Sequence, residues 1–234
     1  MIDFHCHLLP GLDDGPATIN EAVEMAAALR KAGYTTIYCT PHLIKSIYEA
    51  NNEEVKISLD VLQTRLNNEN IDLQLICGRE YYLDEFLFDY LINPLPLGET
   101  NFILLEIPGN IQLKLIKETC FRIKRSGFTP MIAHPERGNI FVVTGNHTKD
   151  RFNFLNSDRK TESMKLLDYL ISLDCSFQGN LGSFLGIYGP QAQMTANSLQ
   201  KMEVYTHFGT DLHSRDGIKY LDKRLEDLGL SIKS

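Results

Sequence analysis

Residues 1–16 read MIDFHCHLLPGLDDGP. Within them, Ile2–His7 is a short apolar strand candidate that carries two histidines one residue apart. Side chains alternate along a strand, so His5 and His7 share one face and Cys6 takes the other. Two imidazoles side by side can grip a divalent ion. Cys6 is left to pack against helices as a small hydrophobe. Taken alone, an H-x-H pair is explained equally well by two partly buried histidines without a metal. The rest of the chain decides between the two.

Further apolar strand candidates follow at Thr35–Thr40, Leu73–Cys77, Phe102–Ile107, Thr129–Ala133, Cys175–Gln178 and Val204–Gly209. Amphipathic stretches separate them. In the first, TINEAVEMAAALRKAGY (18–34), Thr18 and Glu21 form a T-x-x-E capping box. Ala22, Met25, Ala26 and Leu29 recur at helical spacing, and Gly33 suits the position just past the helix end. Helical patterns recur at Glu53–Asn67, Leu113–Ser126, Ser163–Ser172 and Ala192–Met202. Strand and helix in alternation predict a parallel sheet with right-handed crossovers. No G-x-G-x-x-G follows the first strand, which argues against a dinucleotide-binding sheet.

An α/β barrel is favoured by where the polar residues fall. His5 and His7, His42 after Pro41, Glu80, Glu106, His134, and Asp211 with His213 all lie at or just past the C-terminal ends of strands. In a barrel those ends converge on one mouth, where active sites sit. The chain is expected to form a single domain over residues 1–234, with the polar stretch Gly145–Met164 as a loop.

Composition excludes several classes of function. With 43% hydrophobic and 23% charged residues the chain is of ordinary globular type. A net charge of −7 and a pI near 5.5 leave no broad basic surface for nucleic acid. The five cysteines are scattered, odd in number and free of C-x-x-C spacing. That predicts reduced thiols and a cytoplasmic location. No signal-peptide pattern opens the chain, and no apolar run reaches the roughly 18 residues of a membrane span. The sequon Asn146-His147-Thr148 is read as chance.

Each strand-end residue has a bland explanation of its own. Glu80 and Glu106 could pair with cations, and His42 and His134 could be hydrogen-bonded loop histidines. Asp211 could be a turn aspartate. Their coincidence at strand ends is what the bland readings do not supply, and Glu106 ends an apolar strand where a lone carboxylate is costly to bury. In the loop GLDDGP (11–16), Asp13 and Asp14 are equivalent by sequence; either could turn toward the mouth. With Asp14 chosen, the candidate ligands are His5, His7, Asp14, His42, Glu80, Glu106, His134, Asp211 and His213. Nine nitrogen and oxygen ligands exceed the needs of one tetrahedral zinc and suit two or three divalent ions with bridging carboxylate and water. The absence of thiolate favours manganese, iron or zinc. Three such ions and four carboxylates leave the site at about +2 by formal count, a match for a dianionic phosphate. Arg137 in HPERG is a candidate phosphate clamp, although a salt bridge explains its spacing as well. Arg215 is a second candidate. His147 and His207 are read as structural or solvent-facing.

Taken together, DFHCHLLPGLDDGP, TPHL, GRE, LLEIP, AHPERG, QGNLGSFLGIYG and GTDLH resemble, in order, the PHP (polymerase and histidinol phosphatase) superfamily. Within it they resemble the bacterial manganese-dependent protein tyrosine phosphatases of capsule and exopolysaccharide systems. The resemblance implies a distorted (βα)7 TIM-like barrel with three divalent ions, Mn2+ first among them. It assigns His5, His7, Glu80 and Asp211 to one ion, Glu80, Glu106 and His134 to a second, and Asp14, His42 and His213 to the third. It implies hydrolysis of phosphotyrosine by a metal-activated hydroxide without a cysteine phosphoenzyme. The expected substrate is a phosphotyrosine protein, the tail of a bacterial tyrosine autokinase. Ile218 stands after Gly217 where the family often has an arginine, which is why Arg215 is weighed as the second clamp. Two other readings are carried: a PHP phosphatase of a small metabolite such as histidinol phosphate, and a non-catalytic metal-binding PHP module.

Overall fold

A computed structural model describes residues 1–138, 140–141 and 162–221. The sequon, His147 and all but the end of the stretch Gly145–Met164 lie outside the described residues. The described strands are β1 (Ile2–Cys6), β2 (Thr36–Cys39), β3 (His42–Leu43), β4 (Gln74–Cys77), β5 (Glu80–Tyr82), β6 (Phe102–Glu106), β7 (Thr129–Ala133), β8 (Ser176–Asn180) and β9 (His207–Gly209). Between them run α1 (Ile19–Lys31), α2 (Asn52–Asn68), α3 (Leu87–Tyr90), α4 (Leu113–Arg125), α5 (Glu162–Ser172), α6 (Leu181–Phe184), α7 (Gly189–Lys201) and α8 (Arg215–Leu221).

All ladder pairings between these strands are parallel. They form two sheets, in the orders β1-β2-β4 and β3-β5-β6-β7-β8-β9. The division has a local cause. The chain of β2 runs on into β3 across Thr40-Pro41, where proline has no N–H to give a ladder. The chain of β4 runs on into β5 across Gly78-Arg79. A Cβ on Gly78 would lie 2.6 Å from Leu97 Cδ2, so a larger residue here would have to displace that buried side chain. Glu80 therefore opens a strand of its own rather than trailing β4, and it sits in register with His42 on β3.

The outcome is a mixed α/β fold with a curled parallel sheet, a half-barrel in its described ladders. The ladders alone do not complete the expected distorted (βα)7 barrel: none joins β9 to β1 among the described residues. The two strands still meet through single bonds, His7 N to Leu212 O at 3.0 Å and Asp211 N to His5 O at 2.7 Å. Buried Asp3 reinforces the seam by accepting from Thr210 N at 2.9 Å. The expected strand Val204–Gly209 shortens to His207–Gly209, because the chain from Val204 only approaches the sheet.

Helix boundaries follow from capping. Thr18 and Glu21 make the reciprocal capping box of α1, and Gly33 follows its end at φ +95°. Asn51 and Glu54 do the same for α2, which starts one residue before its apolar pattern. The strands carry apolar residues on both faces, as a covered parallel sheet requires. Leu104, Met131 and Ala133 pack in one small cluster with Leu97. Ile103, Leu105 and Ile132, the alternate residues, join the larger core formed with α4, α5 and α7. Cys6 is fully buried in the core beneath α1, opposite in sense to His5 and His7. His207 packs its ring edge-on against Phe4 and Phe102.

Candidate metal centre

Alternation along β1 turns His5 and His7 to the same side, and both are fully buried. Their Nε2 atoms lie 3.1 Å apart. Each also faces two carboxylate oxygens. Glu80 Oε2 lies 3.1 Å from His5 Nε2 and 3.2 Å from His7 Nε2. Asp211 Oδ1 lies 3.3 Å from His5 Nε2 and 3.2 Å from His7 Nε2. Ligands held about 2.0–2.2 Å from one ion are separated by about 3.0–3.4 Å from each other, so these edges have the size of a coordination polyhedron.

The hydrogen bonds on the far side of each ring define the tautomers. Gln178 Nε2 donates to Gly179 O at 2.7 Å, so its Oε1 is the acceptor facing His5 Nδ1 at 2.8 Å. Asp13 Oδ2 accepts from His7 Nδ1 at 2.6 Å. With both Nδ1 atoms donating, two neutral imidazoles would face each other through bare Nε2 lone pairs, beside two carboxylate oxygens. Such an arrangement requires a cation in its midst, a metal or added protons. Glu80 Oε2 is in addition a buried oxygen without a hydrogen-bond partner. The donor set fits a divalent ion.

Electrostatics point the same way. Burial works to discharge His5, but Glu80 and Asp211 outweigh it and push His5 up to about 9. Burial likewise opposes the charges of Glu80 and Asp211, yet the facing histidines hold both well below the carboxylate range. Glu106 is raised, first by burial and then by the neighbouring charge of Glu80.

The remaining candidates gather around this core. His42 Nδ1 is 3.0 Å from Glu80 Oε2 and 3.9 Å from Glu106 Oε2. His213 Nε2 is 3.3 Å from Asp14 Oδ1, and His42 Nε2 is 3.9 Å from the same oxygen. The His213 ring stacks on His7 at 3.9 Å between centroids. Three groups have ligand atoms within 4.8 Å of one another: His5, His7, Glu80 and Asp211; His7, Asp14, His42 and His213; and His42, Glu80 and Glu106. His134 is in none of them. It lies against Glu80, with Nε2 3.0 Å from Oε1. All nine candidates thus meet in one place, with His42 beside Glu80 and Glu106 where the resemblance had His134.

Two of these positions depend on unusual backbone. His134 and Asp211 adopt φ of +29° and +52°. Non-glycine residues rarely take such values, and they persist where surrounding structure enforces them. Strict alternation from Met131 and Ala133 would send His134 outward; leaving the strand with a left-handed turn brings its ring back to Glu80.

The arginines diverge. Arg137 NH1 bonds Asp211 Oδ2, and its guanidinium lies 4.1 Å from the centre of the Tyr188 ring. Asn180 Nδ2 donates to the same Asp211 oxygen at 3.0 Å. Arg215 instead pairs with Glu24 at 3.0 Å on the surface, its side chain 65% exposed. The structure does not bring Arg215 to the cluster.

Sequence reasoning left Asp13 open and gave no role to Gln178, Asn180 or Tyr188. A signal existed for the last three. Gln178 ends a strand candidate, and all three lie in QGNLGSFLGIYG (178–189), a segment that carries the resemblance. Asp13 is held down to about 2: burial opposes its charge, but His7 and the amides of His42 and Gly15 outweigh it.

Comparisons with known proteins agree with this chemistry. The family model for capsular polysaccharide synthesis proteins of the CpsB/CapC type matches residues 1–219. The tyrosine-protein phosphatase YwqE of Bacillus subtilis is 29% identical over 216 residues, 92% of this chain and 78% of the relative. The tyrosine-protein phosphatase CpsB of Streptococcus pneumoniae is 32% identical over 141 residues, 58% of this chain and 57% of the relative. A crystal structure from work on YwqE and CpsB, described there as metal-dependent tyrosine phosphatases, superposes with a TM-score of 0.76 at 27% identity, covering 96% of this chain and 87% of that one. A histidinol phosphate phosphatase of Lactococcus lactis shares the fold, with a TM-score of 0.55 at 15% identity over 98% of this chain and 94% of that one.

Proposed function

This chain belongs to the CpsB/CapC family of capsular polysaccharide synthesis proteins, and on that footing we propose that it is a metal-dependent protein tyrosine phosphatase. The observation that carries the reading is the facing pair of His5 and His7 Nε2 atoms, 3.1 Å apart beside Glu80 and Asp211. The proposed substrate is a phosphotyrosine protein, the tail of a bacterial tyrosine autokinase that governs capsule or exopolysaccharide synthesis.

The proposed cofactors are three divalent ions, Mn2+ first. His5, His7, Glu80 and Asp211 would hold one, Asp14, His42 and His213 another, and Glu80, Glu106 and His134 the third, with His42 close enough to exchange between the last two. When bound, such ions lower the pKa of water toward about 7 and offset phosphate charge. The proposed fold at the site is a distorted (βα)7 barrel in a single domain, supported by the bonds that tie His5 and His7 to Asp211 and Leu212 across the β1–β9 seam.

Arg137 is the proposed phosphate clamp. Asp211 and the Tyr188 ring align its guanidinium, which can give two parallel donors to a pair of phosphate oxygens. Arg215 is the second candidate and would have to leave Glu24 to act. Tyrosinate, with a parent pKa of about 10, departs without a strong general acid. A cysteine phosphoenzyme is disfavoured: Cys6, Cys39 and Cys77 are pushed up by burial, which opposes thiolate formation. Reduced thiols support a cytoplasmic site of action, and no described helix is long and apolar enough to cross a membrane.

The test is phosphate release with Mn2+ from a phosphotyrosine peptide, a phosphoserine peptide and histidinol phosphate, each with and without chelator. Chelator-sensitive release from the phosphotyrosine peptide is expected to dominate. Preference for histidinol phosphate would overturn the substrate, and no release from any of the three by metal-loaded protein would overturn catalysis.

A further inference from the structure

The adjacent aspartates of GLDDGP do different things. Asp14 faces His42 and His213 with its side chain 52% exposed, at the open side of the cluster. Asp13 is turned the other way, and its side chain is fully buried. One oxygen, Oδ2, accepts from His7 Nδ1 at 2.6 Å and from the backbone N–H of His42 at 2.9 Å. The other, Oδ1, accepts from Gly15 N at 2.9 Å. A Cβ on Gly15 would lie 2.5 Å from His7 O, so the loop can close on β1 only with glycine there.

The identity of those partners matters. His7 belongs to two of the three ligand groups, and His42 belongs to two. Between them they reach all three groups, whereas Asp14 belongs to one. We propose that Asp13 is a positioning residue for the whole metal cluster, holding the ring of His7 and the strand carrying His42 so that all three groups form together. This rests on the metal-dependent reading above. The physical basis is that a ligand imidazole is oriented, and made a better donor, by a carboxylate on its far nitrogen. Here a single carboxylate orients one ring and anchors the backbone of a second ligand from a neighbouring strand. Loss of Asp13 should therefore weaken every metal position, and loss of Asp14 only one.

The measurement is Mn2+ titration of the metal-free full chain, counting tight sites by calorimetry or by the free-ion electron paramagnetic resonance signal. Wild type, Asp13→Asn, Asp13→Ala and Asp14→Ala are compared. Asp14→Ala should lose one site. The Asp13 variants should weaken all sites, by about 10–100-fold in apparent Kd. Long-range 15N–1H spectra of the protein loaded with diamagnetic Zn2+ supply a readout that a purely structural role would not move: the His7 Nδ1 proton, which Asp13 accepts, should lose its downfield hydrogen-bonded shift in Asp13→Ala. If Asp13→Ala does not fold, Asp13→Asn, nearly equal in size, gives the titration. Wild-type affinity in Asp13→Asn, or loss of only the site lost in Asp14→Ala, overturns the proposal while leaving the phosphatase reading intact. Failure of the wild type itself to take up Mn2+ overturns both.

Discussion

Gly209 on β9 stands directly against His5 on β1. A Cβ added to Gly209 would lie 2.5 Å from His5 Cβ and 2.8 Å from His5 N. Among the described residues no ladder spans this seam, so the two strands approach through a position without a side chain, and the Cβ and backbone N of His5 occupy the space a side chain would need. Gly209→Ala should therefore push β1 outward. Overpacking of this kind costs about 1–3 kcal/mol. The expected result is a lower Tm of the metal-free protein together with weaker Mn2+ binding. A variant with unchanged Mn2+ affinity would show that His5 tolerates the shift.

Protons and metal compete for the same centre. Glu80 and Asp211 raise His5 to about 9 against the opposing effect of burial. A group raised on folding contributes stability below its ordinary pKa and loses it as pH climbs through the raised value. Chelated protein should lose the His5 contribution as pH rises from about 6.5 to about 9, while Mn2+-loaded protein should not. Metal uptake should release protons at pH below about 9, and apparent affinity should climb with pH up to that value. Calorimetry in buffers of different ionisation enthalpy checks this; uptake without proton release near neutral pH would contradict the raised proton affinity of His5 in the metal-free protein.

Glu80 touches more of the cluster than any other carboxylate described, within 3.2 Å of His5, His7, His42 and His134. Outer partners of metal ligands are typically worth 10–100-fold, so removing this carboxylate should reduce kcat/KM by about 10²-fold or more. Glu80→Gln keeps the volume and removes the charge, which makes it the variant of choice. Near-normal turnover of a phosphotyrosine peptide would contradict the assignment of Glu80 as a shared ligand.

The two arginines make a paired test. Arg137→Ala should lower kcat/KM by about 10²–10³-fold, the scale of losing one aligned donor to a charged transition state. Arg137→Lys should recover little, because a point charge does not replace a bidentate fork. Arg215→Ala removes only an exposed pair with Glu24 and should change kcat/KM less than about fivefold. Equal losses in the two alanine variants would mean that Arg215 leaves Glu24 to engage the phosphate.

Much of this was legible in the sequence. Period-two alternation by itself separates His5 and His7 from Cys6. Capping chemistry by itself starts α1 after Thr18, and strand-end position by itself singles out His42, Glu80, Glu106, His134, Asp211 and His213. These are local regularities, written within a few residues of the positions they describe. The tertiary structure alone decided the rest. Asp13 and Asp14 are chemically identical neighbours, and only the approach of β3 shows which one meets His7 and the His42 amide. Arg215 is drawn away by Glu24, which is remote in the chain, and His134 reaches Glu80 only because its backbone turns left-handed. Each of these depends on contacts between segments far apart in sequence, and side-chain direction there is set by the neighbours that folding supplies.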